Sequence, residues 1–116
     1  MKRLIAVLSL VAVIAACGGD STGPSAPPPP PPPPTGALYF RVDALTCSGS
    51  GTIEFFIDGT SRFTQTLSAG QTSQGTTVVA GPHTAGARET IQAGYTWPTQ
   101  QVSVPANGSY TAILTC

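Results

Sequence analysis

The chain has 116 residues and a formal net charge of zero, and only 9% of its residues are charged. This length suits one small domain, which has little surface to bury and therefore a thin margin of stability. Beyond the N-terminus the cations are Arg41, Arg62 and Arg88, against five acidic residues, which leaves a net charge of minus two. Without a basic stripe to neutralise phosphates, nucleic acid is excluded as a partner.

The first 16 residues have the layout of a signal peptide. Lys2 and Arg3 provide the positive start, the apolar run 4–14 follows, and Ala15 and Ala16 are small. A membrane-spanning helix needs about 20 apolar residues, so this run is too short for a permanent span. The layout predicts export followed by cleavage.

The residues around the predicted cleavage site carry a further signal. The run 14–17 (IAAC) resembles the lipobox of bacterial lipoproteins. The resemblance implies that the Cys17 thiol receives a diacylglyceryl group and that acyl chains anchor the protein to a membrane. The glycines at 18–19 stand where an aspartate favours inner-membrane retention in two-membrane bacteria, so the outer membrane is expected. The alternative is an ordinary secretory signal that happens to end near a cysteine.

Residues 17–36 have the composition of a linker. Eight consecutive prolines at 27–34 offer no backbone N–H for a helix or a sheet. They predict a polyproline II rod of roughly 25 Å, at about 3.1 Å per residue. The linker would hold the following domain above the membrane.

From residue 37 onward, short runs rich in β-branched and aromatic residues alternate with turn residues. This pattern predicts an all-β domain, a small Ig-like or transthyretin-like sandwich of about seven short antiparallel strands. The predicted strands lie near 37–44, 52–58, 61–67, 73–79, 83–90, 99–104 and 109–115.

Alternation with period two marks the inward side chains of the first two strands, which are Leu38, Phe40, Val42, Ile53, Phe55 and Ile57. Asp58-Gly59 favours a type I′ hairpin between strands two and three, because this turn needs positive φ at both central residues. Asn107-Gly108 predicts a similar turn before the last strand. The inward residues of that strand would be Tyr110, Ala112 and Leu114.

The chain has three cysteines. If lipid occupies Cys17, only Cys47 and Cys116 remain to pair, and export makes their oxidation plausible. The bond would close a loop of about 70 residues and stabilise the fold by roughly 4 kcal/mol. Two free thiols are the alternative, since two cysteines and the sole histidine, His83, cannot complete a four-ligand zinc site.

Short markers follow one another between residues 52 and 114: IEFFI at 53–57 with Asp58-Gly59, GPHT at 81–84, Gly94-Tyr95, VSV at 102–104 and Asn107-Gly108. In this order they resemble the PEGA-type and transthyretin-like small β-sandwiches of bacterial envelope proteins. The sequence LSAG at 67–70 lies near the position of the family's naming motif without reproducing it. The resemblance implies a binding, spacing or display module and brings no catalytic residue with it.

The sequence offers little catalytic chemistry. His83 is the only histidine, and no serine lies in a G-x-S-x-G motif. A carboxylate pair would need a cleft that so small a sandwich hardly provides. We therefore predict no enzyme activity, no cofactor and no metal. His83 is interpreted as a sheet residue rather than a partial metal ligand, and the sequon at 107–109 as a turn.

Gly94 and Pro98 resist a continuous strand and predict a loop over 92–98 (QAGYTWP). This loop is the best candidate contact surface, because Tyr95 and Trp97 could form an aromatic platform for a sugar or a protein. The alternative places Trp97 in the core, where so small a domain needs a large side chain.

The predicted organisation is a lipoprotein signal peptide at 1–16, the lipidated Cys17 with its linker at 17–36, and a β-sandwich at 37–116. The predicted function is that of a membrane-tethered, non-enzymatic envelope lipoprotein whose sandwich is a structural, display or protein-docking module. A carbohydrate- or peptide-binding module is the alternative, and a hydrolase is a distant third. The expected partner is an envelope protein or a glycan.

Overall fold

The computed structural model describes residue 23 and residues 25–91 and 94–116. The predicted signal peptide and Cys17 lie outside these residues. The chain divides into two units, Met1–Pro30 and Pro31–Cys116. In the first unit the described residues are exposed and belong to no helix or strand. No helix in the described part of the chain is long and apolar enough to cross a membrane.

The second unit is built from seven strands, and its described residues contain no helix. This confirms the predicted all-β class. The strands are β1 (Thr35–Val42), β2 (Ser50–Ile57), β3 (Thr60–Ser68), β4 (Thr76–Val79), β5 (Gly81–Glu89), β6 (Thr96–Val104) and β7 (Ser109–Leu114).

The strands form two sheets, with the orders β4-β1-β7 and β3-β2-β5-β6. Four of the five strand pairs are antiparallel, but β1 and β7 are parallel, from Ala37 opposite Ser109 to Val42 opposite Leu114. The prediction of antiparallel strands is wrong for this pair. A parallel pair needs a long connection, and here nearly the whole domain lies between its two strands.

The two predicted turns differ in what they connect. Asp58 and Gly59 have φ of 53° and 77°, as a type I′ turn requires, and β2 pairs with β3. Asn107 also has positive φ, at 56°. However, its turn leads from β6 in one sheet to β7 in the other, so it does not close a hairpin.

Side chains from both sheets fill the space between them. Phe40 of β1 lies 4.6 Å from Phe55 of β2, and Phe55 lies 4.7 Å from Phe63 of β3, as measured between ring centroids. This aromatic row joins the sheets across the core. All the predicted inward residues are buried except Tyr110, which is 37% exposed.

The sandwich has two ends, which we call proximal and distal. The proximal end contains the start of β1 at Thr35, the turn at Asp58-Gly59 and the connection 105–108. The distal end contains the loop 43–49, residues 90–91 and 94–95, and the C-terminal residues 115–116. The linker therefore reaches the sandwich at the end opposite to these loops.

Candidate functional site

The distal end carries the disulfide. Cys47 and Cys116 are bonded, with 4.9 Å between their Cα atoms and a sequence separation of 69. The bond lies just beyond the last residues of the parallel strands β1 and β7. It confirms the predicted pairing and ties together two strands that no short connection can join.

The loop before Cys47 is held in one conformation by Asp43. Its carboxylate accepts hydrogen bonds from the Thr46 hydroxyl at 2.9 Å and from the Leu45 backbone N–H at 3.3 Å. These hydrogen bonds hold the pKa of Asp43 below its usual value. The Thr46 hydroxyl in turn accepts the Cys116 backbone N–H at 3.1 Å. Leu45, at the tip of this loop, is 94% exposed.

The predicted aromatic pair is split between surface and core. Trp97 is only 6% exposed, whereas Tyr95 is 48% exposed and meets the Trp97 ring edge-on at 5.0 Å. The structure therefore supports the core alternative for Trp97. The accessible aromatic surface is the Tyr95 ring alone, and ligand binding by this pair stays a prediction. Gln92, at the start of the predicted loop, lies outside the described residues.

A groove of about 300 Å³ lies on the outer face of the four-stranded sheet. It follows β5 from Thr84 to Arg88, between Phe56 of β2 and Thr99 of β6. Gly86 contributes no side chain at its centre. This groove was not predicted from the sequence, although a glycine inside a strand is a known sign of a bulge or a close approach.

Arg88 forms one side of this groove and is ion-paired with Glu54. Arg88 Nη2 donates to Glu54 Oε2 at 2.5 Å, and its guanidinium carbon lies 5.5 Å from the centre of the Phe56 ring. The Ser61 hydroxyl donates to the other carboxylate oxygen at 2.7 Å. The Ser61 hydrogen bond, followed by that from Arg88, holds the pKa of Glu54 below its usual value.

The single histidine links both sheets at the proximal end. His83 Nδ1 lies 2.7 Å from Asp58 Oδ2, and Nε2 lies 2.6 Å from the Val79 carbonyl oxygen. Since both neighbours are acceptors, the protonated ring, which donates from both nitrogens, fits this environment. The Val79 carbonyl and the Asp58 carboxylate raise the pKa of His83. Neither ring nitrogen is left to bind a metal.

The same contacts act on Asp58 in the opposite direction. The Thr84 backbone N–H donates to Asp58 Oδ1 at 2.9 Å. This bond and the contact with His83 lower the pKa of Asp58. The carboxylate is therefore stabilised in its charged form next to a protonated imidazole.

This pair should make the stability of the domain depend on pH. A raised His83 pKa stabilises the fold below the unfolded value of 6.5, and this contribution is lost as pH rises through the folded pKa. A lowered Asp58 pKa stabilises the fold above 3.8 and is lost as pH falls through its folded value. We expect the free energy of unfolding to be higher at about pH 5.5 than at about pH 8.5, by about 1 kcal/mol.

Urea unfolding at these two pH values measures the difference. His83→Gln removes the only histidine and should flatten the dependence in this range. Thr111→Val, on the outer face of the other sheet, should retain it. An equal pH dependence in His83→Gln would show that other groups cause it.

The described residues contain no group of three or more His, Cys, Asp or Glu side chains placed to hold a metal ion. Comparisons with protein-family models, curated proteins and solved structures give no match to this chain. The predicted family resemblance therefore stays a prediction.

Proposed function

We propose that this chain is a membrane-tethered, non-enzymatic lipoprotein of a bacterial envelope, whose sandwich displays a docking surface for another envelope protein. The docking role is supported by the position of the exposed apolar side chains. Leu45 and Ile91 are 94% and 69% exposed, more than any other large apolar side chain described. Both lie in distal loops, whereas the linker joins the proximal end.

The distal loops suit a docking role energetically. Burying an exposed leucine or isoleucine against a partner contributes about 1.5 to 3 kcal/mol. The Asp43 hydrogen bonds and the disulfide already order the loop of Leu45, so docking would lose little loop entropy. Tyr95, 48% exposed at the same end, adds aromatic area of the kind found at the centres of interfaces.

The tether is supported by sequence: the signal-peptide layout, the lipobox-like run 14–17 and the proline-rich linker. Labelling of growing cells with a palmitate analogue should mark the wild-type protein and not Cys17→Ser. The variant should also leave the membrane fraction. A label that persists in Cys17→Ser, in a variant that still fractionates with membranes, would refute the lipid anchor.

Site-specific photocrosslinking in intact envelopes tests the docking surface. A crosslinker at Leu45 and one at Ile91 should each give an adduct with the same protein. A crosslinker at Ala106, exposed in the proximal connection, is the matched control and should give none. No adduct from the distal positions, or the same adduct from all three, would contradict the proposal.

The alternative function, a carbohydrate- or peptide-binding module, is favoured by a different observation. The outer-face groove combines in one concave surface an aromatic ring, hydroxyl groups and Arg88, whose charge is balanced by Glu54. No comparable observation on the described residues supports the hydrolase that ranked third.

A further inference from the structure

We propose that the outer-face groove binds a neutral carbohydrate of one or two pyranose rings, a role that goes beyond protein docking at the distal end. Its volume of about 300 Å³ lies at the small end of ligand sites in proteins. The groove is also on a different surface from Leu45 and Ile91, since it follows β5 on the outer face of the sheet. The two roles can therefore be tested separately.

The groove is formed by irregularities in the strand pairing. Ala85 pairs with Gln100 and Ala87 with Trp97, so two residues of β6 face Gly86 alone. A second irregularity interrupts the pairing of β2 with β3 at Phe56. Bulges of this kind bend strands and redirect side chains next to binding sites. Here they leave an open space above Gly86 that neighbouring side chains do not fill.

The charges in the groove favour a neutral ligand. The Arg88 guanidinium is paired with the Glu54 carboxylate, so this side of the groove carries no net charge. An anionic ligand would have to compete with Glu54 for Arg88. The guanidinium has five N–H donors, of which the described structure shows one bonded to Glu54. The other donors are available to ligand hydroxyl groups without any net change in charge.

The remaining groups match the two-sided chemistry of a sugar ring. A pyranose has an apolar C–H face and a rim of hydroxyls that both donate and accept hydrogen bonds. Phe56 supplies an apolar wall, and the residues along the groove include Thr84, Thr96 and Thr99, whose hydroxyls also donate and accept. The Thr99 hydroxyl oxygen lies 3.8 Å from where a side chain at Gly86 would begin, so it faces the open space.

The position of the groove within the sheet disfavours a peptide. β5 pairs with β2 on one side and with β6 on the other. Apart from Gly86 at the bulge, its residues are paired in the sheet on both sides of the groove, so a peptide strand cannot be added along β5. Recognition must come from side chains, which suits a compact ligand.

Calorimetry provides the direct readout of binding. Trp97 fluorescence provides a second one, because Trp97 is the only tryptophan in the chain and borders the groove while its ring packs in the core. The full-length protein is titrated with maltose, cellobiose and N,N′-diacetylchitobiose, and binding is followed by Trp97 fluorescence and by calorimetry. At least one neutral disaccharide should bind, with an affinity in the millimolar to micromolar range. Glucuronic acid and an unrelated peptide are the charged and peptide controls, and neither should bind.

Gly86→Val is the decisive variant, because it fills the groove with a side chain that suits a strand. It should weaken sugar binding at least about tenfold. Thr111→Val, on the outer face of the other sheet, is the matched control and should bind like the wild type. Gly86→Ala is the milder version, since its Cβ meets only ordinary contacts at 3.7 and 3.8 Å. It should weaken binding less, and it replaces Gly86→Val if that variant does not fold.

Three results would overturn the proposal: no binding of any neutral disaccharide, binding that is unchanged in a folded Gly86 variant, or binding of the peptide or the acid alone. These results leave the docking role untouched, since crosslinks from Leu45 and Ile91 report on the other surface. Conversely, failure of the Leu45 and Ile91 crosslinks would contradict only the docking role. Sugar binding that is lost in Gly86→Val would still support the groove.

Discussion

Replacing Cys47 and Cys116 together with alanine should lower the free energy of unfolding by roughly 4 kcal/mol. The bond spans 69 positions in sequence, so its loss frees a long loop in the unfolded chain. Small domains have only about 5 to 15 kcal/mol of total stability, so this loss is a large part of the total. Guanidinium unfolding of the wild type, oxidised and reduced, and of the double variant measures the effect.

Two controls separate the bond from other effects of substitution. Cys17→Ser should unfold at the same denaturant concentration as the wild type, because Cys17 is not part of the bond. Reductant should destabilise the wild type and leave the double variant unchanged. A double variant within about 1 kcal/mol of the wild type would show that the disulfide contributes little to folding.

Trp97→Ala should lower the free energy of unfolding by about 3 kcal/mol, the low end for deleting a buried tryptophan. The ring is 6% exposed and packs against Tyr95. The loss is at the low end for two reasons. The indole N–H has no hydrogen-bond partner among the described residues, so the variant also removes an unsatisfied donor. A cleft of about 80 Å³ also adjoins the ring beside the disulfide.

Unfolding of these variants is followed by circular dichroism, since Trp97→Ala has no tryptophan fluorescence. Trp97→Phe keeps most of the packing without the N–H and should lose less than about 1.5 kcal/mol. Tyr95→Ala, at a half-exposed position, should also lose much less than Trp97→Ala. If Tyr95→Ala and Trp97→Ala lost the same free energy of unfolding, the two rings would contribute to stability as one unit, and the assignment of Tyr95 to the surface and Trp97 to the core would be wrong.

Local patterns in the sequence predicted the strands well where one face is buried. In β1 and β2 the alternation of apolar and polar residues is regular, and the predicted inward side chains are buried. The turn at Asp58-Gly59 was also predicted from the sequence, because few residue pairs adopt positive φ at both positions. The disulfide followed from counting cysteines once Cys17 was assigned to lipid.

The pairing of strands that are distant in sequence could not be predicted from local patterns. Asn107 signalled a turn, but nothing local shows that the chain changes sheets there and brings β7 parallel to β1. Pro98 suggested a loop, yet it lies inside β6. Its missing N–H is tolerated because β6 is an edge strand and Pro98 faces the bulge at Gly86.

The fourth strand is shorter than predicted, because a side-chain hydrogen bond takes the place of backbone pairing at its predicted start. A strand was predicted from residue 73, but β4 begins at Thr76. The Ser73 backbone N–H donates to the Phe40 carbonyl oxygen at 2.7 Å, and the Ser73 hydroxyl oxygen accepts the Phe40 backbone N–H at 3.0 Å. This side-chain bond takes the place of a regular ladder step, and alternation alone does not reveal it.

The same limit applies to the candidate sites. Leu45 and Ile91 were not predicted as a contact surface, because the sequence does not show which apolar loop residues stay exposed, and the groove depends on neighbours from three strands. Phe56, Gly86 and Thr99 are far apart in sequence and meet only through the sheet order. Gly86 was the one local hint, and without the pairing partners a glycine in a strand does not indicate what surrounds it.

The place where the linker joins the sandwich determines how the domain would respond to a mechanical pull. A pull through the residues before Thr35 acts along β1, which is bonded on both sides, to β4 and to β7. The bonds to both neighbours cross the direction of the pull, so they are sheared together rather than peeled apart one by one. Past Val42 the disulfide passes the load covalently to the end of β7. A domain pulled through this linker would thus take the strain along a strand that is paired on both sides.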